Sequence, residues 1–159
     1  MTKITDQELS AARSNWGDAL IAISKAFETG GIEAATDVAN SALDTAYGYN
    51  LGPVLFKPTL ASGDQTFRPT REGALAYFVG HSDAYPRDGG FGIKGWRKVE
   101  SVTAASFIQG DIAMWMGGVT FTDKNGDVTV VDKSWGYKKD DAGDLRIVLH
   151  HSSLPYQPD

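Results

Sequence analysis

Two histidines stand side by side in the run Ile147-Val148-Leu149-His150-His151-Ser152-Ser153. In a regular strand successive side chains point to opposite faces, so Ile147, Leu149, His151 and Ser153 share one face while Val148, His150 and Ser152 share the other. With the apolar pair Ile147 and Leu149 marking the interior, His151 and Ser153 lie further along the same row. A histidine there can donate, accept or shuttle a proton near neutral pH, or it can be a buried ring satisfied by hydrogen bonds. On the preceding strand Val131, Lys133 and Trp135 share a face, and Trp115 sits one strand earlier, so a lysine and two indoles can line one cavity. An inward Lys133 favours an anionic ligand; an outward one leaves the tryptophans as plain core. The candidate ligand-binding set is therefore Trp115, Lys133, Trp135, His151 and Ser153, with His151 the candidate general acid or base.

Other clusters carry less. Gly90, Gly92 and Gly95 match G-x-G-x-x-G, but a loop containing Pro86 precedes them and strand-like Trp96 to Val102 follows, so the helix N-terminus a phosphate needs is missing. Asp123, Asn125 and Asp127 around Gly126 lack the closing glutamate of a calcium loop and read as a hairpin turn; Asp140, Asp141 and Asp144 read as turn residues. None of the three histidines has a metal-binding spacing, and His81 falls in an irregular, exposed loop. Asp132 points away from an inward Lys133, which leaves Asp44 as the other carboxylate for an acid–base pair. No metal and no cofactor is expected.

The elements that position these residues fall into two groups. Thr5 and Glu8 form a capping-box pattern ahead of Leu9, Ala12, Trp16, Ala19, Leu20, Ile23 and Phe27, a helical period that Gly30 and Gly31 stop. The period restarts from Ile32 to about Tyr47, and Thr70 can cap a third, short helix through Val79. Val54 to Phe56 reads as a short strand. From Arg97 to Phe107, Ile112 to Thr122, Val128 to Tyr137 and Leu145 to Ser152 the chain is rich in β-branched and aromatic residues, with turn signals between the runs, which predicts an antiparallel meander. His81 to Gly95 is the one long irregular loop and a candidate pocket rim.

Helices first and a long sheet afterwards is the α+β arrangement: a cone-shaped, curved antiparallel sheet packed on three N-terminal helices, in one domain over residues 1–159. The chain is 42% hydrophobic and 11% aromatic, enough for one core. A net charge of −5 disfavours nucleic acid and anionic lipid as partners. The absence of cysteine excludes disulfides and thiolate chemistry and fits a reducing compartment. No apolar run spans a bilayer and the start lacks an apolar signal core, so a cytoplasmic location is expected.

The segment from Asp132 through Lys133, Trp135, the Asp140–Asp144 turn and Arg146 to His150, His151, Ser152, Ser153 and Pro155 resembles the closing hairpin of the association domain of calcium/calmodulin-dependent protein kinase II, within the nuclear transport factor 2-like, or SnoaL-like, superfamily of cystatin-like folds. There too a Trp and a basic residue precede an Asp-Gly turn and a strand ending in histidines, serine and proline. Weaker similarity covers the helix around Ala22 to Ser24, Phe56 with Pro58, and Gly110-Asp111. The resemblance implies the cone fold and self-association as a homodimer or larger homo-oligomer. It also marks a departure, since Val119 and Lys133 stand where that family projects arginines into its pocket. The resulting expectation is a small-molecule-binding domain for a small polar or anionic ligand. The alternatives are a cofactor-independent isomerase, cyclase or hydrolase using His151, and a pure homo-oligomeric assembly module.

Overall fold

The computed structural model describes residues 2–159. Helix α1 (Asp6–Ala46) opens on the Thr5 cap: Thr5 Oγ1 accepts from the Glu8 N–H at 3.1 Å and Glu8 returns the bond to the Thr5 N–H at 3.1 Å. It breaks in the middle at Gly31, whose φ of 74° and ψ of −163° no β-carbon tolerates cheaply, so the two predicted helices are two arms of one bent element. Strand β1 (Leu55–Lys57) and helix α2 (Arg71–Val79), capped by Thr70, follow. Then come the long strands β2 (Trp96–Gln109), β3 (Ile112–Asp123), β4 (Val128–Lys139) and β5 (Leu145–Ser153).

The sheet order is β1-β5-β4-β3-β2. The four long strands form the expected antiparallel meander, but β1 joins β5 in parallel, pairing Phe56 with His150, so the sheet is mixed rather than antiparallel throughout. The physical reason is connectivity: β1 reaches the sheet edge from the helices, with no hairpin to reverse it. Irregularities at Trp96/Lys98 and Thr103/Ala105 in β2, and opposite Gly136/Tyr137 in β5, bend the strands around the helices. Inside that curve Trp16 meets Trp135 edge-on with ring centroids 5.3 Å apart, and Phe121 at 6.0 Å.

The segment His81 to Gly95 is held against this core rather than left loose. Ser24 Oγ donates to the Gly92 carbonyl at 2.5 Å and accepts from the Trp96 N–H at 3.0 Å. A β-carbon on Gly92 would lie 2.8 Å from the Phe78 carbonyl oxygen, so the glycine serves close packing against α2. Arg68 and Asp88, both almost wholly buried, form a two-pronged ion pair at 2.7 and 2.9 Å that ties the segment to the chain before α2. No helix among the described residues is long and apolar enough to cross a membrane.

Candidate functional site

The pairing of β4 with β5 sets the site. Lys133 stands opposite Ser152 and Trp135 opposite His150, and directly paired residues share a face, here the concave one. Gly136 pairs with Leu149 but Tyr137 pairs with Ile147, leaving Val148 as an extra residue in β5. One extra residue inverts the alternation beyond it. Ile147 faces inward as expected; past the bulge the inward residues are His150 and Ser152, while His151 is exposed and Ser153 half-buried at the strand end. The expectation that His151 and Ser153 line the interior is thus corrected: their neighbours do. The signal was Gly136, since a glycine inside a strand marks a bulge or a close approach, and a β-carbon there would meet that of Leu149 at 2.9 Å.

Lys133 does point inward, at 4% exposure, and its Nζ lies 2.8 Å from His150 Nε2. His150, at 1% exposure, holds Tyr47 Oη at 2.8 Å through Nδ1, and Tyr47 Oη accepts from Trp16 Nε1 at 3.0 Å. Phe56, its pairing partner in β1, stacks on the imidazole at 4.6 Å. Burial pulls Lys133 well below the usual lysine range, helped by the charge of Lys57. Burial likewise pulls His150 below its ordinary value, with Lys133 and His151 adding to the effect. Tyr47 Oη, with two lone pairs and one hydrogen, accepts from Trp16 while pairing with His150 Nδ1, and the Lys133 amine pairs with Nε2, the direction of both bonds following the ring tautomer. The faces of Trp16, Trp135 and Phe121, with centroids 4.8, 5.5 and 5.8 Å from Nζ, also accommodate the ammonium once an anion arrives.

Beside this pair lies a narrow cleft, closed to a water-sized molecule with its side chains as placed. Three hydroxyl residues, Thr59, Tyr77 and Ser152, share its wall with Lys133 and His150, closed by aromatic rings that include Phe91 of the long segment. Thr59 Oγ1 and Ser152 Oγ are 2.5 Å apart. Lys57 Nζ donates to the Ser152 carbonyl at 2.8 Å. Tyr77 Oη accepts from the Leu60 N–H at 3.2 Å, and burial pushes Tyr77 up to about 12 despite that bond and the Thr59 hydroxyl. No carboxylate lines the pocket. An anion can therefore be met by hydroxyl donors and an amine without a competing negative charge.

The other expected residues are placed as follows. Trp135 lies behind His150, centroids 5.2 Å apart. Trp115 stacks behind Trp135 at 5.5 Å and donates to Thr103 Oγ1 at 2.8 Å, one ring removed from the pocket and with Arg13 over its face at 4.8 Å. Asp132 is exposed, and Asp44 is spent on a surface ion pair with Arg71 at 2.9 Å. His81 is exposed in the long segment. Asp123 and Asp140 each accept two backbone N–H groups across their turns. Val119 is core. Sequence reasoning missed Trp16, Tyr47, Thr59, Tyr77, His150 and Ser152, which come from α1, α2, β5 and the turn after β1.

The chain resembles known proteins along almost all of its length. It is 55% identical over 154 residues to a metal-independent carbonic anhydrase of Nostoc sp. (strain PCC 7120), an alignment covering 97% of this chain and 75% of the relative. Its fold superposes with a TM-score of 0.97 on the crystal structure of an iota-carbonic anhydrase from a cyanobacterium complexed with bicarbonate, at 54% identity, covering 98% of this chain and 95% of that one. A protein of Xanthomonas campestris described as a calcium/calmodulin-dependent protein kinase II association domain matches with a TM-score of 0.58 at 21% identity, over 99% of this chain and 97% of that one. That likeness shows the expected cone fold, while the family itself is a more specific one than the kinase association domains. The family model described as metal-independent carbonic anhydrase matches residues 7–154, and the chain accordingly belongs to the metal-independent carbonic anhydrase family.

Proposed function

We propose that this chain interconverts carbon dioxide and bicarbonate, with no metal ion, in the pocket formed by Lys133, His150, Thr59, Tyr77 and Ser152. The observation that carries the reading is the pairing of a buried amine with a buried imidazole beside three hydroxyls, in a pocket with no carboxylate. Family membership and the bicarbonate complex of the 54% identical relative support it.

In the hydration direction a water held by the Thr59 and Ser152 hydroxyls attacks the carbon of carbon dioxide. One O–H bond of the water and one C–O π bond break as the new C–O bond forms, the π pair going to oxygen and the proton to the neutral Lys133 amine as general base. Hydroxyl donors from Thr59, Tyr77 and Ser152 meet the negative charge that grows on the oxygens, and the new ammonium completes the cradle. His150, held by Tyr47 and Phe56, orients the amine. Bicarbonate leaves, and the ammonium returns its proton to solvent.

Stopped-flow hydration of carbon dioxide tests this directly. The Thr59→Val, Ser152→Ala double variant should lose roughly 10- to 100-fold in kcat/KM, as expected when hydrogen bonds to a charged group are removed. A chain with no hydration activity, or a double variant at the wild-type rate, sinks the reading.

Self-association is a second part of the proposal, favoured by the outer sheet face. Val102, Phe107, Met114, Met116 and Val130 are all exposed there, on neighbouring strands of one face, the kind of apolar surface that marks an interaction site. The face suits a second copy of the chain. A cytoplasmic setting completes the reading, resting on the cysteine-free composition.

A further inference from the structure

We propose that the apolar cavity between the two arms of α1 is a holding site for carbon dioxide on its way to the pocket; this rests on the carbonic anhydrase reading. Leu20 and Ile23 of the first arm, Ala39 and Leu43 of the second, and Phe78 of α2 wall it, and its volume of about 20 Å³ leaves room for a single molecule of a few atoms. Its lining surface is carbon throughout. The two polar side chains on its border, Trp16 and Tyr47, turn their nitrogen and oxygen to each other and to His150, showing only ring carbon to the cavity. Trp16 and Phe78 also line the pocket of Lys133 and His150, so one layer of ring separates the two spaces.

The lining selects its occupant. A water there finds none of the two to four polar partners it needs, and bicarbonate would leave its charge unpaired. Carbon dioxide, small and without a net dipole, incurs neither cost. Access runs through Ala19, Ala42 and Ala46, which are half-buried and border both the cavity and a cleft between α1 and the turn that joins β4 to β5. Their side chains stop at one carbon where a longer one would close the opening. The hydroxyl-lined pocket takes the charged partner of the reaction and this cavity the uncharged one.

Crystals pressurised with xenon, and separately with carbon dioxide, test the site in the unmodified protein. Density between Leu20, Ala39 and Phe78 is expected with both gases. Ala42→Leu, which fills the cavity from its mouth, should exclude xenon and lower kcat/KM for hydration roughly fivefold, while the Kd for bicarbonate measured by calorimetry stays at the wild-type value. Ser41→Leu, the same enlargement at the exposed neighbouring position outside the cavity wall, should keep the wild-type rate. An active enzyme whose cavity admits neither gas, or an Ala42→Leu variant that excludes xenon yet turns over at the wild-type rate, overturns the inference and leaves the carbonic anhydrase reading standing. A bicarbonate Kd that weakens as much as kcat/KM also overturns it, since the substitution would then act on the pocket. A wild-type protein without hydration activity overturns both.

Discussion

Lys133 Nζ and His150 Nε2 stand 2.8 Å apart inside the sheet's concave face, with no carboxylate on the wall around them. Two bases so placed cannot both be protonated without a cost that neither solvent nor a counter-ion relieves. The pair therefore has a reason to stay neutral until an anion enters.

Removing the amine should remove the chemistry and spare the fold. Lys133→Met keeps length and apolar packing but leaves the buried His150 Nε2 without its partner, so stability should fall by about 1–3 kcal/mol while the circular dichroism spectrum stays native. Hydration of carbon dioxide should fall roughly 10²- to 10⁴-fold, the usual contribution of a general base. In the wild type kcat/KM for hydration should rise with pH through the lowered value of Lys133 and then level off, because the base works only when deprotonated. Lys133→Arg, which stays charged, should not restore activity. A Lys133→Met enzyme within a factor of a few of wild type would assign the base elsewhere.

The same burial makes stability depend on pH. Lys133 binds its proton less tightly folded than unfolded, so between its lowered value and the ordinary lysine value near 10.4 the unfolded chain holds more protons. Stability must rise with pH across that window and fall as pH drops through it. His150 acts in the same sense between its lowered value and about 6.5. Urea denaturation at about pH 6 and about pH 9.5 should show the wild type gaining stability over Lys133→Met between the two. Parallel pH profiles for the two proteins would mean that Lys133 is charged in the folded state.

The two adjacent histidines should separate cleanly. His151→Ala changes an exposed ring and should leave hydration within about twofold of wild type and stability within about 0.5 kcal/mol. His150→Phe preserves the stack on Phe56 but leaves Tyr47 and Lys133 without their partner, and should cost activity at least roughly tenfold. Circular dichroism confirms the fold of each. The reverse order of effects would contradict the bulged register of β5.

Asp88 is expected to matter far from the chemistry. Asp88→Ala strands the buried Arg68 guanidinium and should destabilise the chain by about 3–5 kcal/mol in denaturant titrations. Since Arg68 also donates to the Gln65 and Gly73 carbonyls, and Asp88 anchors the segment bearing Phe91, hydrogen exchange should quicken from His81 to Gly95. A loss under about 1 kcal/mol would place the pair among solvated ones.

The outer face predicts the oligomeric state. Light scattering should give a dimer or larger ring for the wild type, and Met116→Lys with Val102→Glu should shift it to monomer with an intact spectrum. A monomeric wild type at high micromolar concentration would end the self-association proposal.

Local rules decided much of this protein before any long-range contact was considered. The Thr5–Glu8 cap, the break at Gly31, the Thr70 cap and the four long strands with their turns all follow from short-range sterics and hydrogen bonding, so they stand in the chain as written. That Lys133 and Trp135 share the concave face also follows from simple alternation in β4. What only the tertiary structure decided is which histidine joins them. An extra residue at Val148 is a property of how two strands pair, and it turned the site from His151 and Ser153 to His150 and Ser152. The parallel docking of β1 and the convergence of Trp16, Tyr47, Thr59 and Tyr77 are likewise products of packing between elements distant along the chain, which no local pattern encodes.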